Sequence, residues 1–248
     1  MAYDFKREFR NLYQPKAKPS LVDVPAMTFA AVAGTGDPNE GSGAYQRALG
    51  LLYGFSYTVK MSKMADWQPE GYFDYVVPPL EGLWWAGAGT FDGARIGDKN
   101  ALSWVSLIRQ PDFVTPEVLP RLKALAARKK PEVVEALESG GLRLVRFAEG
   151  PCAQVMHMGP YDGESATVAA LSAFIAEKNL TTDIAAGGES PEGHAATRAF
   201  DGEALLTALN ADGGVPGIRL HHEIYLGDPR RTAPERLCTV IRHPVRAE

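Results

Sequence analysis

Hydrophobic positions along this chain recur in two patterns, one alternating and one helical, and together they predict most of its elements. The first twenty residues, with Pro15 and Pro19, predict an extended lead-in. Leu21 to Ala33 (LVDVPAMTFAAVA) is a nearly continuous apolar run ended by Gly34 and Gly36, which predicts a strand. From about Gly43 to Lys63 the period changes. Tyr45, Leu49, Leu52, Ser56 and Val59 form a helical stripe, and Tyr53, Tyr57 and Lys60 lie on a neighbouring face. Gly71 to Val77 (GYFDYVV) and Leu102 to Gln110 (LSWVSLIRQ) predict strands. Thr115-Pro116-Glu117 starts a helix with a capping residue, a first-turn proline and an acid at the positive dipole end. That helix runs to about Lys130, restarts after Pro131 toward Leu137, and stops at Gly140-Gly141.

The second half repeats the order. Leu142 to Phe147 and Cys152 to His157 predict strands, Gly159-Pro160-Tyr161 a turn, and Gly163 to Lys178 a helix with Val168, Leu171, Phe174 and Ile175 inward. His222 to Leu226 and Leu237 to Arg242 predict the last two strands. The closing strands share a signature, Ile108-Arg109-Gln110-Pro111 and Ile241-Arg242-His243-Pro244. The expected fold is α+β: two β-α-β-β modules, about 21–139 and 142–245, joined in one antiparallel sheet as a single domain over 1–248. The segment from about 181 to 217 breaks the repeat with Ala/Gly-rich sequence and a short helical stretch, and reads as either a lid or a mobile insertion.

Composition adds mainly exclusions. The chain has 248 residues, a formal charge of −4, 45% hydrophobic and 23% charged residues. No basic footprint favours nucleic acid or a membrane surface. Cys152 and Cys238 do not form a disulfide framework and sit in apolar strand patterns. The polar N-terminus has no signal-peptide core, and no apolar run approaches the roughly 18 residues that suggest a membrane span, so a cytoplasmic location is expected.

The familiar nucleophile, phosphate-loop and zinc motifs are absent, and Gly34-Thr35-Gly36 lacks the third glycine of a dinucleotide fingerprint. In a strand, His221 and Glu223 share one face and His222 the other, so no more than two of them reach one ion. No metal and no cofactor are expected, and His221 and His222 read as surface or turn-capping residues. Glu223 sits between apolar and aromatic neighbours. An enclosed carboxylate there is a base or a cation receptor; the competing reading pairs it structurally with Arg230, Arg231 or Arg242. Aromatics are 9% of the chain but cluster: all four tryptophans fall between Trp67 and Trp104. Trp84-Trp85, after Pro-Pro-Leu-Glu-Gly, read as part of a loop and suggest a binding surface.

Four stretches carry a resemblance: Tyr72–Trp84 (YFDYVVPPLEGLW), Ile108–Val114 (IRQPDFV), Met156–Tyr161 (MHMGPY) and His222–Arg231 (HEIYLGDPRR). Together they resemble the GyrI-like small-molecule-binding family, in its stand-alone branch. The likeness spans Tyr3 to Val245 and departs at 181–217. It implies pseudo-twofold modules with a ligand cleft between them, and a glutamate, here Glu223, in an aromatic pocket that takes bulky lipophilic, often cationic, compounds. That branch also includes hydrolases that open the cyclopropane ring of DNA-alkylating natural products, using an aromatic cage. The expected function is binding of flat aromatic or cationic xenobiotics, with hydrolysis of a strained ring as the enzymatic alternative and a protein-binding inhibitor as a third reading. The residues this singles out are Glu223, Tyr225 and Tyr161 for catalysis, and Tyr53, Tyr57, Phe73, Trp84, Trp85, Trp104 and Met156 for the ligand. About twenty residues before the first strand leave no room for a DNA-reading module, so no nucleic-acid partner is expected.

Overall fold

A computed structural model describes residues 2–86, 99–129, 134–138, 141–182, 184, 206 and 220–247. Most of the 181–217 segment therefore lies outside the described residues, and with it the short helix expected there.

Two single-turn helices, α1 (Phe5–Glu8) and α2 (Arg10–Tyr13), open the chain where an extended lead-in was expected. Asp4 caps α1 by accepting from the Lys6 backbone N–H at 3.0 Å. The reason is tertiary: Phe5, Leu12 and Tyr13 are buried in the core, and that burial selects a compact path. The first apolar run is interrupted at Pro25, giving β1 (Ser20–Val24) and β2 (Met27–Thr35). Helix α3 (Ala44–Lys60) follows, then β3 (Leu80–Ala86), β4 (Leu102–Arg109), α4 (Leu119–Lys129) and α5 (Val134–Glu138). The second half contains β5 (Arg143–Phe147), β6 (Gly150–Met158), α6 (Ser165–Glu177), β7 (Leu180–Thr182), β8 (His221–Tyr225) and β9 (Cys238–Ala247). Among the described residues no helix is long and apolar enough to cross a membrane.

The fold is α+β, built on one nine-stranded antiparallel sheet with order β1-β6-β9-β8-β3-β4-β2-β5 and β7 against β9. Its middle is symmetric in kind: β2-α3-β3-β4 on one side and β6-α6-β8-β9 on the other, meeting where β3 pairs with β8. The two opening strand pairs cross over. β1 pairs with β6 and β5 with β2, in one uninterrupted register, with Ser20 opposite Gln154 and Ala31 opposite Arg143. Pro25-Ala26 and Ala148-Glu149 are therefore bends within two long paired segments, and the ladders return to their starting point.

Alternation along each strand divides the side chains between two faces. On one face α3 packs over β2 and β4, and α6 packs over β6. Val168, Leu171 and Ile175 of α6 meet Ala153, Val155, Ile241 and Val245 there. Phe29, Val105, Leu107, Val145, Ile224 and Val240 point to the second face and are buried.

Two expectations fail in the first half. Gly71–Val77 is not a strand; it contributes only a single bridge, Tyr75 to Tyr3. Its aromatics pack instead: Tyr72, Phe73 and Tyr75 surround Phe113 at centroid distances of 5.3, 5.5 and 6.1 Å. Trp84-Trp85 lie in a strand rather than a loop. β3 is hydrogen-bonded on both sides, to β4 and β8, so its backbone is satisfied at the middle of the sheet. Gly82 is tolerated in it because larger side chains occupy the space a side chain there would take: a Cβ would lie 2.5 Å from Trp84 Nε1 and 3.3 Å from Tyr225 Oη.

Candidate functional site

Between α3 and α6 no described residue covers the sheet, and a cavity of about 1250 Å³ lies over β3 and β8. Tyr45, Leu49, Tyr53 and Tyr57 of α3 form one wall, and the turn Pro160–Glu164 before α6 forms the other. Leu80, Trp84, Glu223 and Tyr225 form the floor, and Leu226–Arg231 the rim, where Arg230 pairs with Asp228 at 3.0 Å. The helical stripe through Tyr45, Leu49 and Tyr53 places three side chains on one face of α3 at spacings of four residues. Strand alternation does the same for Glu223 and Tyr225.

Glu223 is held, not free. His221 Nε2 donates to its Oε1 at 2.8 Å, and the Tyr225 hydroxyl donates to the same carboxylate. The other His221 nitrogen, Nδ1, lies 2.8 Å from Nε2 of His243 on β9. Burial alone would raise the Glu223 carboxyl, but the bonds from His221, Tyr225 and Glu164 outweigh it and hold it ionised. Burial and the neighbouring His221 push His243 well down, which keeps that ring neutral. Glu164 is the second carboxyl of the site. Atoms of Glu164, His221 and Glu223 lie within 4.8 Å of one another, and Glu164 Oε1 is buried without a hydrogen-bond partner. Burial first, and the Glu223 charge second, push Glu164 up to about 10. The same carboxylate, after burial, raises Tyr161 to about 12. Two carboxyls and a histidine at this spacing also form a set that a divalent ion would fit.

Of the residues singled out by sequence, Glu223, Tyr225, Tyr161, Tyr53, Tyr57 and Trp84 line this cavity. Four others are placed elsewhere. Phe73 belongs to the aromatic cluster with Tyr3, Tyr75 and Phe113. Trp85 is on the second sheet face, because it follows Trp84 in a strand. Met156 faces the same way, since its ladder partner is Val240. Trp104 is buried beneath Tyr45, its ring lying across Gly34, where a Cβ would come within 2.3 Å of it. The histidines read as surface residues are both 1% exposed. Tyr45, Glu164 and His243 were missed. The four-residue spacing to Leu49 marked Tyr45; Glu164 and His243 carry no local signal.

The second face carries a separate polar cluster. His222 Nδ1 lies 3.0 Å from Glu149 Oε2 and Nε2 lies 3.1 Å from Glu81 Oε2. Both partners accept, so both ring nitrogens carry hydrogens and the ring is an imidazolium. Arg242 reaches Glu149 at 3.1 Å, Gln154 at 3.2 and 3.3 Å and the Leu12 carbonyl at 2.8 Å. Tyr13 donates to Glu81 at 3.1 Å. This cluster, not Glu223, absorbs Arg242. Arg109, its counterpart in the repeated Ile-Arg-x-Pro signature, stacks on Phe5 and Phe9 at 4.7 and 4.1 Å.

The fold and site define a class of protein: a single antiparallel sheet whose two helix-bearing halves flank an aromatic cleft with an ionised carboxylate on its floor. No family model matches the chain, and no curated protein matches it. Solved structures do. A hydrolase from Listeria innocua is 39% identical, with 98% of this chain and 100% of that one covered and a TM-score of 0.74. An uncharacterized conserved protein from the same organism is 40% identical over 98% of this chain and 100% of that one, with a TM-score of 0.77. This chain belongs to the family of these Listeria innocua proteins.

Proposed function

We propose that the protein binds flat, lipophilic small molecules in the cleft between its halves and hydrolyses them by adding water. The observation that carries this reading is Glu223. It is an ionised carboxylate on the floor of an aromatic cavity, oriented by His221 at 2.8 Å. A carboxylate held this way takes a proton from a water lodged against it, and its histidine orients it. Tyr45, Tyr53, Trp84 and Tyr225 supply ring faces for a planar body, and the volume suits a polycyclic one. Two relatives at 39% identity are described as hydrolases, which supports hydrolysis over storage. The sequence resemblance to GyrI-like proteins narrows the substrate to a reactive xenobiotic, with the cyclopropane of a DNA-alkylating natural product as the first candidate.

In that reaction Glu223 removes a proton from water, the water oxygen bonds to the strained carbon, and the cyclopropane bond breaks toward the conjugated carbonyl. Tyr161 donates to the oxygen that gains charge. The test is incubation with a cyclopropane-bearing alkylator and mass analysis. The expected product is the parent plus one water, formed by the wild type and lost in Glu223→Gln. If Glu223→Gln turns over at the wild-type rate, the base assignment is wrong.

A second reading has its own observation. Glu223 is ionised beside ring faces, so it also suits a delocalised cation that is bound and not changed. Saturable quenching of tryptophan fluorescence by a lipophilic cation, with no product from any electrophile, would select it.

A further inference from the structure

The second face of the sheet holds two arginines that the repeat makes equivalent, and only one of them has a carboxylate. Arg242 reaches Glu149 at 3.1 Å. Glu149 stands in the two-residue bend between β5 and β6. The matching bend, between β1 and β2, is Pro25-Ala26, so the position equivalent to Glu149 is Ala26. Arg109 therefore lacks the acid that its counterpart has, and among the described residues no acid forms an ion pair with it. The buried acids of this face are already engaged: Glu149 by Arg242 and His222, Glu81 by His222 and Tyr13. The Arg109 guanidinium donates to the Tyr13 hydroxyl and lies over Phe5 and Phe9, and its Nη1 is buried with no hydrogen-bond partner. A guanidinium stays charged at any working pH, and a buried charge without a counter-ion is costly.

A pocket of about 280 Å³ lies against this arginine, lined by Tyr3, Phe5, Phe9, Phe73, Arg109 and Asp112. Its walls are set by their own contacts. Tyr3 meets Phe5 edge-on at 5.0 Å and Phe73 at 5.3 Å, and Phe5 stacks on Phe9 at 6.3 Å. The Tyr3 N–H donates to the Asp74 carbonyl and the Val76 N–H to the Tyr3 carbonyl, both at 2.8 Å, which ties the two wall segments together. Arg109 is 8% exposed and Phe73 38%, so the charge lies at the inner end and Phe73 toward solvent. The volume is at the lower edge of the range for small-molecule sites and suits a single ring. Alternation along β4 puts Arg109 on the face away from the cleft that holds Glu223, so this is a different site.

We propose that this pocket binds a small aromatic carboxylate, its ring among Tyr3, Phe5, Phe9 and Phe73 and its carboxylate accepting from Arg109. The guanidinium supplies charge and planar donors that match a carboxylate. The four rings supply faces and edges for a fifth. A neutral aromatic lacks the first attraction and an aliphatic acid the second. Asp112 is the acid on the lining, and it is exposed. Its charge opposes an anion and limits the affinity. No bond is made or broken, and the inference does not depend on the hydrolytic reading of the cleft.

The test is isothermal titration calorimetry of the full chain with benzoate, benzamide and acetate. Benzoate is expected to bind saturably, about tenfold or more tighter than either control, because benzamide lacks the charge and acetate the ring. Asp112→Asn should tighten benzoate by about two- to fivefold without moving benzamide. Phe73→Ala should weaken benzoate by about three- to tenfold. Both positions are solvent-exposed and lie outside the cleft, so benzoate seated against Glu223 would respond to neither. Arg109→Met should abolish the preference for benzoate over benzamide. Circular dichroism checks its fold, and where that fold is lost the two surface variants decide. Equal affinity for benzoate and benzamide overturns the inference. So does an Asp112→Asn variant that binds benzoate no tighter than wild type, or the absence of saturable benzoate binding.

Discussion

Trp84 Nε1 donates to the Tyr225 hydroxyl at 2.8 Å, across the ladder that joins the two halves of the sheet. Tyr225 in turn donates to Glu223. An indole from the first half thus orients the carboxylate of the second, and Gly82, directly opposite Glu223, leaves the space in which they meet.

Gly82→Ala places a methyl group 2.5 Å from the indole nitrogen, so the indole must move. The expected cost is about 1–3 kcal/mol from overpacking. Trp84→Phe, which removes the donor together with part of a buried ring, should cost more than the roughly 1 kcal/mol of the hydrogen bond alone. Chemical denaturation reads both. Tryptophan emission should shift in Gly82→Ala; an unchanged spectrum with unchanged stability would show that the pair is not held by this contact.

Arg242→Met removes a guanidinium that is fully buried between Glu149, Gln154 and the Leu12 carbonyl. Removing one of the two cations beside buried Glu149, with His222 the one that stays, should destabilise the protein by about 3–5 kcal/mol. Because the Leu12 carbonyl also loses its donor, the N-terminal helices should become the first site of limited proteolysis. Adding Glu149→Gln to this variant should restore part of the loss.

His222 gives stability a pH dependence with a definite sign. Burial opposes its charge, but Glu149 and then Glu81 raise it from 6.5 to about 9. A raised folded value means its stabilisation is complete below pH 6.5 and is lost as pH rises through 9. Glu149 runs the other way: held at about 2 against burial by His222 and Arg242, it stabilises above pH 4.5, and that contribution is lost as pH falls toward 2. Urea midpoints of the wild type should decline from pH 7 to 9, and His222→Gln should be less stable but flatter over that range. Equal slopes in both proteins would refute the imidazolium assignment.

Glu164 predicts a gain of stability at the site's expense. Its folded value lies far above its ordinary 4.5, so the folded protein holds a proton that the unfolded chain releases. Stability falls with rising pH in that window. Glu164→Gln needs no such proton, so its melting temperature should exceed wild type at pH 8 and the gap should close below pH 4.5. A variant less stable than wild type at pH 8 would mean that the Glu164 bond to Glu223 outweighs the cost of holding its proton.

Periodicity alone was enough for α3, β4, β6, α6 and β8, because each buries one side or both along its whole length. The repeated Ile-Arg-x-Pro signature marked two equivalent strands, and strand alternation separated His221 and Glu223 from His222. Where burial was set by distant partners, local pattern failed. Phe5, Leu12 and Tyr13 wind into short helices because the sheet offers them a core. Trp84-Trp85 follow a proline-rich stretch that suggests a loop, but pairing with β4 and β8 makes it a central strand.

The chain's own order of residues therefore determined the α+β architecture, the repeated order of elements and the face on which Glu223 lies, since these follow from spacing. The tertiary structure decided which aromatics meet the cleft. It sent Trp85, Met156, Trp104 and Phe73 elsewhere, brought Glu164 and His243 to Glu223, and gave Arg242 to Glu149. Those pairings join residues far apart in the chain, and only the closing of the sheet brings such groups within a few ångströms of one another.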